Sequence, residues 1–168
     1  MARARLGEED AFALLIRRHQ APLLNFFRRL GAGSEVEDLV QDVFLRVYRY
    51  RDRYAPTARF TTFLYTLARH AWADHWRKLK RRQRIADRAE AEWPRQDDTA
   101  AGRLGRGIDA QEALGRLPEK LRIVLVLSLH QGFRYREIAV ILGIPVGTVK
   151  SRVFLAVRRL KEMYDERR

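Results

Sequence analysis

Two groups of side chains in this sequence have types and spacing suited to chemistry. The first is His70, Asp74 and His75. Imidazole and carboxylate together serve general acid–base catalysis and metal ligation. His70 and Asp74 stand four residues apart and share a helix face, whereas His75 points elsewhere. A metal centre would need a ligand from another element, and none is signalled. The sequence therefore indicates no catalytic residue, no metal and no cofactor. Helix pairing of His70 with Asp74 accounts for their spacing. The second group is cationic and lies within "YREIAVILGIPVGTVKSRVFLAVRRLK", Tyr135 to Lys161: Thr148, Lys150, Ser151, Arg152, Phe154, Leu155, Arg158 and Arg159. Short polar groups near the start of a helix can reach base edges, while arginines further along hold phosphates.

These residues need a scaffold that presents them together. Ile138, Ala139 and Leu142 give the first segment an apolar face, and Gly143 can adopt the left-handed conformation that ends a helix. Ile144 would plug the corner. Val149, Val153, Val157 and Leu160 then recur at spacings of four, four and three, the inner stripe of a second helix. This is a helix-turn-helix pattern, and its counter-surface is the major groove of duplex DNA. A plain helical hairpin with a solvated basic face has the same pattern.

The whole chain agrees with a polyanionic partner. It has 168 residues, 46% of them hydrophobic, a formal net charge of +13 and no cysteine. The charge favours nucleic acid, or less often an acidic membrane surface. Neither disulfides nor thiolate metal sites are available. The N-terminus does not read as a signal peptide, and "IVLVLSL" is far short of the roughly 20 residues a bilayer span requires. A soluble, cytoplasmic protein is expected.

Helical periods dominate, and no stretch alternates like a strand. Phe12, Leu15, Ile16, Leu23, Phe26 and Phe27 mark a helix from Asp10 to Leu30. "GAGS" breaks it. Ser34 with Glu37 makes a capping-box pattern for a helix from Glu35 to Arg51, with an inner stripe of Val36, Leu39, Val43 and Val47 and with Val40 and Phe44 alongside. After Pro56, with Thr57 or Thr61 as cap, a third helix is expected from Phe60 to Arg84. The stretch "DRAEAEWPRQDDTAAGRLGRG" reads as a flexible tether with an unexplained Trp93. A short helix then ends near Leu117. Pro118 opens the next, which carries Leu121, Val124, Leu125 and Leu129 and is capped at Gly132. The expected fold is all-α: an N-terminal domain over 1–86, a linker over 87–108 and a helix-turn-helix domain over 109–168. That is three helices before the tether and four after it.

At this point a family resemblance is evident. "LPEKLRIVLVLSLHQGFRYREIAVILGIPVGTVKSRVFLAVRRLK" resembles the promoter −35 reading region of bacterial RNA polymerase sigma factors, most of all the short extracytoplasmic-function group. The match is carried by Leu117-Pro118, Arg122, Glu137-Ile138-Ala139, Gly143, the run from Gly147 to Arg152, and Leu160. "EVEDLVQDVFLRVYRY" resembles the segment by which these factors dock on core polymerase, through Glu37, Asp38, Gln41, Asp42, Phe44 and Leu45. "RFTTFLYTLARHAWADHWRKLKRR" is similar to the −10 melting segment, through Phe60, Thr62, Leu64, Ala68, Asp74, Arg77 and Lys78.

The resemblance implies a sigma initiation factor whose partners are core RNA polymerase, promoter DNA and an anti-sigma protein. It implies no covalent chemistry and no small-molecule substrate. Asp38, Gln41, Asp42 and Leu45 would meet the clamp helices of the largest polymerase subunit. Phe60, Thr61, Tyr65, Arg69, His70, Arg77, Lys78 and Arg81 would serve the −10 element, and the cationic group of the last helix the −35 element.

Elementary chemistry agrees in part. Asp38 and Asp42 put acid on an otherwise basic chain, although a solvated helix face looks the same. Aromatic rings replace base stacking at roughly 1–3 kcal/mol per base. Phe60, Phe63, Tyr65, Trp72 and Trp76 are available, and core packing accounts for any one of them equally well. Arg77, Lys78, Lys80, Arg81 and Arg82 suit duplex phosphates. His70 stands where the family often has Asn, Leu155 where it often has Arg, and Arg134 where a Ser-like cap is usual. These departures bear on promoter preference. A helix-turn-helix regulator of operator DNA is the other reading.

Overall fold

The computed structural model describes residues 9–51, 54, 59–92 and 110–165, and every regular element among them is helical. Helix α1 spans Glu9–Leu30, α2 spans Val36–Tyr50 and α3 spans Phe60–Glu92. Beyond the tether come α4 (Ala110–Arg116), α5 (Glu119–Leu125), α6 (Tyr135–Leu142) and α7 (Val146–Asp165). The all-α expectation holds, with three α-helices before the tether and four after it among the described residues.

Leu23, Phe26, Phe27 and Leu30 fall on one face of α1 and are fully buried. Each such side chain contributes about 1.5–3 kcal/mol by leaving water. Gly31, at φ 92°, ends α1; its N–H and that of Ala32 both return to the Phe27 carbonyl. The expected stripe of α2 is buried throughout, from Val36 to Val47, together with Val40 and Phe44.

The structure differs from the sequence expectation in four places. Ser34 does not cap α2, because a 3₁₀ turn at Gly33–Glu35 takes it up and the helix starts after Glu35 with no side-chain cap. Glu35 is instead held by His75 Nδ1 at 2.9 Å and Arg82 Nη1 at 3.2 Å. Second, α3 continues past Arg84 to Glu92, into the stretch expected as tether. "RIADRAEAE" contains strong helix formers and no breaker. Thr61 lies inside the first turn of α3 rather than capping it, while Thr57, Trp93 and the rest of the tether lie outside the described residues. Third, Leu129 faces water. The end of α5 widens into a π-helical turn over Val126–His130, which changes the phase of the residues that follow. Fourth, Ala156 replaces Val157 on the inner face of α7, because the 3.6-residue period runs through Val149, Val153, Ala156 and Leu160.

The halves before and after the tether pack against each other. One continuous cluster of buried side chains joins Phe26, Leu64 and Ala68 to Val126, Leu127, Ile138 and Ile141. A smaller cluster, Leu114, Leu117, Leu121, Leu125 and Ala156, holds α4, α5 and α7 together within the C-terminal half.

Polar contacts across the seam are reciprocal. The last carbonyls of a helix lack intrahelical partners. Those of α1 are met from the C-terminal half: Arg122 Nη1 donates to the Leu30 carbonyl at 2.6 Å, and Gln111 Nε2 to that of Arg28 at 2.9 Å. At the end of α6 the roles reverse, and Arg69 Nε of α3 donates to the Ile141 carbonyl at 3.2 Å.

Candidate nucleic-acid interface

Helices α6 and α7 meet at an angle of 104°, within the range of a helix-turn-helix. Gly143 ends α6 at φ 65° and ψ 39°, a conformation that disfavours any side chain. Before α6, the Arg134 backbone N–H donates to Glu137 Oε2 at 2.9 Å. The helix thus starts with half a capping box although no Ser is present.

On α7 the predicted reading surface lies open. Lys150, Ser151, Phe154, Leu155, Arg158 and Arg159 are exposed, and Thr148 and Arg152 half-buried. Phe154 is 67% exposed, which no core role explains. Ser151 Oγ donates to the Thr148 carbonyl at 3.1 Å, and Arg158 Nε to Glu162 Oε1 at 2.8 Å. A phosphate at Arg158 would have to displace Glu162.

On α2, Asp38, Gln41 and Leu45 are exposed and Asp42 half-buried. Asp42 accepts from Arg46 Nε at 3.0 Å, and Arg46 Nη2 donates to Asp74 Oδ2 at 2.8 Å. Asp74 also pairs with Arg77. The chain Asp42–Arg46–Asp74–Arg77 therefore links the acidic face of α2 to the basic end of α3. Hydrogen bonds from Arg46 and Arg77 hold the Asp74 carboxyl below its ordinary range. The helix pairing expected between His70 and Asp74 yields to these two arginines. Burial, then Arg69 and Arg46, push the His70 imidazole below its ordinary value, against a weaker opposite pull from Asp74.

Arg46 was not singled out in the sequence. Its spacing of four from Asp42 was a usable signal. A groove of about 230 Å³ beside Gln41, lined by Ile16, Leu24, Glu37, Val40 and Phe44, was also missed.

On α3 the predicted residues divide in two. Phe60 and Thr61 are half-buried, and Phe60 packs in an aromatic group with His19, Tyr54 and Phe63. His70, Arg77, Lys78 and Arg81 are exposed. A cleft of about 590 Å³ runs beside His70, with Arg46, Tyr50, Trp76 and Arg77 on its walls.

Tyr65 and Arg69 are engaged by the C-terminal half. Tyr65 is 3% exposed, donates its O–H to Gln131 Oε1 at 2.5 Å and meets the Phe133 ring edge-on at 4.9 Å. Burial drives its phenol well above the usual tyrosine range. Trp72, buried beside them, donates Nε1–H to Glu119 Oε1 at 3.2 Å and stacks on His75 and Trp76. For Trp72 the packing role prevails in this arrangement.

Comparison with known proteins converges on one family. Residues 15–82 match the Sigma-70 region 2 family and residues 108–160 the Sigma-70, region 4 family. The chain is 33% identical to RNA polymerase sigma factor CarQ of Myxococcus xanthus, over 99% of this chain and 96% of that one. It is 30% identical to the ECF RNA polymerase sigma-E factor of Escherichia coli K12, over 92% and 86% of the two chains. Its fold resembles the sigma factor RpoE solved with the anti-sigma factor NepR from Bartonella quintana, at TM-score 0.72, 25% identity and coverage of 94% and 99%. It also resembles CnrH solved with the cytosolic domain of CnrY, at TM-score 0.72, 27% identity and coverage of 98% and 94%. With both sigma regions matched in order and relatives of 30% identity or more along most of its length, the chain belongs to the extracytoplasmic-function sigma factors, initiation factors that bind core RNA polymerase and direct it to promoters.

Proposed function

We propose that α7 reads the −35 element and α3 the −10 element, with α2 docking on the clamp helices of the largest polymerase subunit. The supporting observation is the open face of α7, where Lys150, Ser151, Phe154 and Leu155 all reach solvent on a helix set at 104° to its partner. Phe154 and Leu155 offer apolar contact to thymine methyl groups, Lys150 and Ser151 hydrogen bonds, and Arg152, Arg158 and Arg159 phosphate contacts. Asp38, Gln41, Asp42 and Leu45 form the docking face. Acid there, on a chain of net charge +13, fits a basic partner surface and orients the encounter. His70, Arg77, Lys78 and Arg81 hold DNA beside the melted stretch, and Phe60, Thr61, Tyr65 and Arg69 serve the unpaired strand.

The chain performs no covalent step; polymerase makes the transcript. It works in the cytoplasm, where polymerase is. An anti-sigma protein is its regulatory partner, as in the solved relatives. Tethering two weak DNA-binding units on polymerase raises their effective concentration and makes recognition cooperative.

The test is run-off transcription with purified core polymerase, combined with selection of promoters from a randomised library. The expected result is a promoter-dependent transcript whose selected sequences share two separated elements. A helix-turn-helix regulator would instead bind DNA and add no transcript.

A further inference from the structure

Helix α1 carries four arginines that neither the core nor the proposed docking face uses. Arg17, Arg18 and Arg28 are exposed and Arg29 half-buried, and none of them forms an ion pair among the described residues. Elsewhere the arginines Arg46, Arg77, Arg82, Arg116 and Arg158 all hold carboxylates.

The four fall into two rows. Arg18 and Arg29 lie about 60–80° round the helix from Phe26, at 3.6 residues per turn. The Phe26 ring meets Tyr65 of α3 edge-on at 5.2 Å, so this row borders the crease between α1 and α3. Asn25, exposed, stands in the same row. Arg17 and Arg28 lie about 160–180° from Phe26, on the side turned away from that crease.

Ring pairs fix the relative direction of the two helices. His19 meets Phe60 at 5.3 Å, Phe26 meets Tyr65 at 5.2 Å and Phe27 meets Trp72 at 6.5 Å. Helix α1 therefore runs beside α3 in the same sense, with Arg18 near the level of Phe60 and Arg29 near that of Trp72. At 1.5 Å per residue the two arginines stand about 16 Å apart, the length of four to five phosphates on one strand at about 3.4 Å each. The positive field along the row is uncompensated. Burial, then Arg18, depresses the His19 imidazole; burial, then Arg29, depresses that of His130; no carboxylate among the described residues opposes either shift.

Resting on the −10 role given above to α3, we propose that Arg18, Asn25 and Arg29 of α1 form a backbone rail that binds phosphates of the single strand whose bases face Phe60, Tyr65 and Arg69. Arginine and amide side chains both donate to phosphate oxygens and carry no sequence preference there. The strand is favoured over an acidic protein surface because the row follows α3 along its −10 residues and not the acidic face of α2.

The test uses holoenzyme assembled with purified core polymerase, and a promoter from the selection above whose −10 stretch is left single-stranded. Arg18→Gln with Arg29→Gln should weaken binding of this probe at least tenfold. The slope of log affinity against log salt should fall by about 1.4, two lost single-strand phosphate contacts at about 0.7 each. Arg18→Lys with Arg29→Lys keeps a point charge at each position and should bind within threefold of the unmodified chain. Arg17→Gln with Arg28→Gln removes the same charge from the same helix and should bind within twofold. Affinity for core polymerase, measured separately, should stay within twofold for all three pairs. Probe binding by the Arg18–Arg29 glutamine pair within twofold of the unmodified chain overturns the rail. Equal losses in both glutamine pairs would reduce the effect to net charge and overturn it too. A lysine pair as weak as the glutamine pair would mark these arginines as packing residues, and a loss confined to core affinity would give the row to polymerase; either result refutes the proposal. If unmodified holoenzyme binds the probe no better than one with a scrambled −10 stretch, the −10 role of α3 fails first, and the rail with it.

Discussion

At the scale of single residues, the proposed function concentrates base preference on α7. Leu155 is exposed on the proposed reading face, where the family resemblance implies arginine in many relatives. Leucine offers a thymine methyl a partner and offers guanine none. Leu155→Arg is expected to shift the selected −35 sequence toward guanine at one position, by about 1–3 kcal/mol of discrimination, the worth of a bidentate arginine contact. Promoter selection with the variant holoenzyme measures this, and an unchanged −35 consensus would remove Leu155 from the reading set. Phe154 carries the same argument for apolar contact. Arg158 starts from a pair with Glu162, so its phosphate contact is an exchange of partners rather than a new bond.

At the scale of elements, the turn between α6 and α7 sets where the open face of α7 points. Gly143 sits at φ 65°, and a Cβ there would meet Arg69 Nη2 at 3.7 Å, an ordinary contact. The cost of Gly143→Ala is therefore backbone strain, about 1–2 kcal/mol. The melting temperature should fall by several degrees, and −35 binding should weaken through misplacement of α7; thermal melts and duplex binding of the C-terminal element report the two effects. An unaltered melt would mean that the turn relaxes freely. The elements were largely legible in advance, since helices announce themselves through the 3.6-residue apolar stripe, as in Leu39, Val43 and Val47. What escaped was local competition. Ser34 has capping chemistry, but Gly31 and Gly33 demand a tight turn that takes it up. Leu129 sits on the apolar phase of an α-helix, but the chain widens at Val126. Val157 and Ala156 are adjacent, and spacing alone does not say which one a period of 3.6 brings inward. The exposed face of α7 was legible because it requires only one helix. The covering of Tyr65 was not, since it depends on Gln131 and Phe133, far along the chain.

At the scale of the whole molecule, the two halves share a core, and their titration should show it. Burial pushes the imidazoles of His19, His70 and His130 below the ordinary value of 6.5, and arginine neighbours add to this: Arg18 for His19, Arg69 for His70 and Arg29 for His130. A group with a depressed folded pKa favours the fold above its unfolded pKa and loses that contribution as pH falls through the folded value. Stability should therefore be full above about pH 7 and decline as the medium is acidified below 6.5, with Asp74 adding its loss at still lower pH. Thermal melts across that range check the sign, and His→Gln at the three positions should flatten the upper part of the curve. A melting temperature that rises between pH 7 and pH 5.5 would contradict these burial assignments. The burial of Trp72 has a further consequence. Its indole is sealed at the seam, stacked on Trp76, with its N–H on the Glu119 carboxylate. Parting the halves would wet that ring and redden its emission, so the chain carries its own optical gauge of closure, readable without any attached dye once Trp93 is replaced by phenylalanine to leave the seam pair alone in the spectrum.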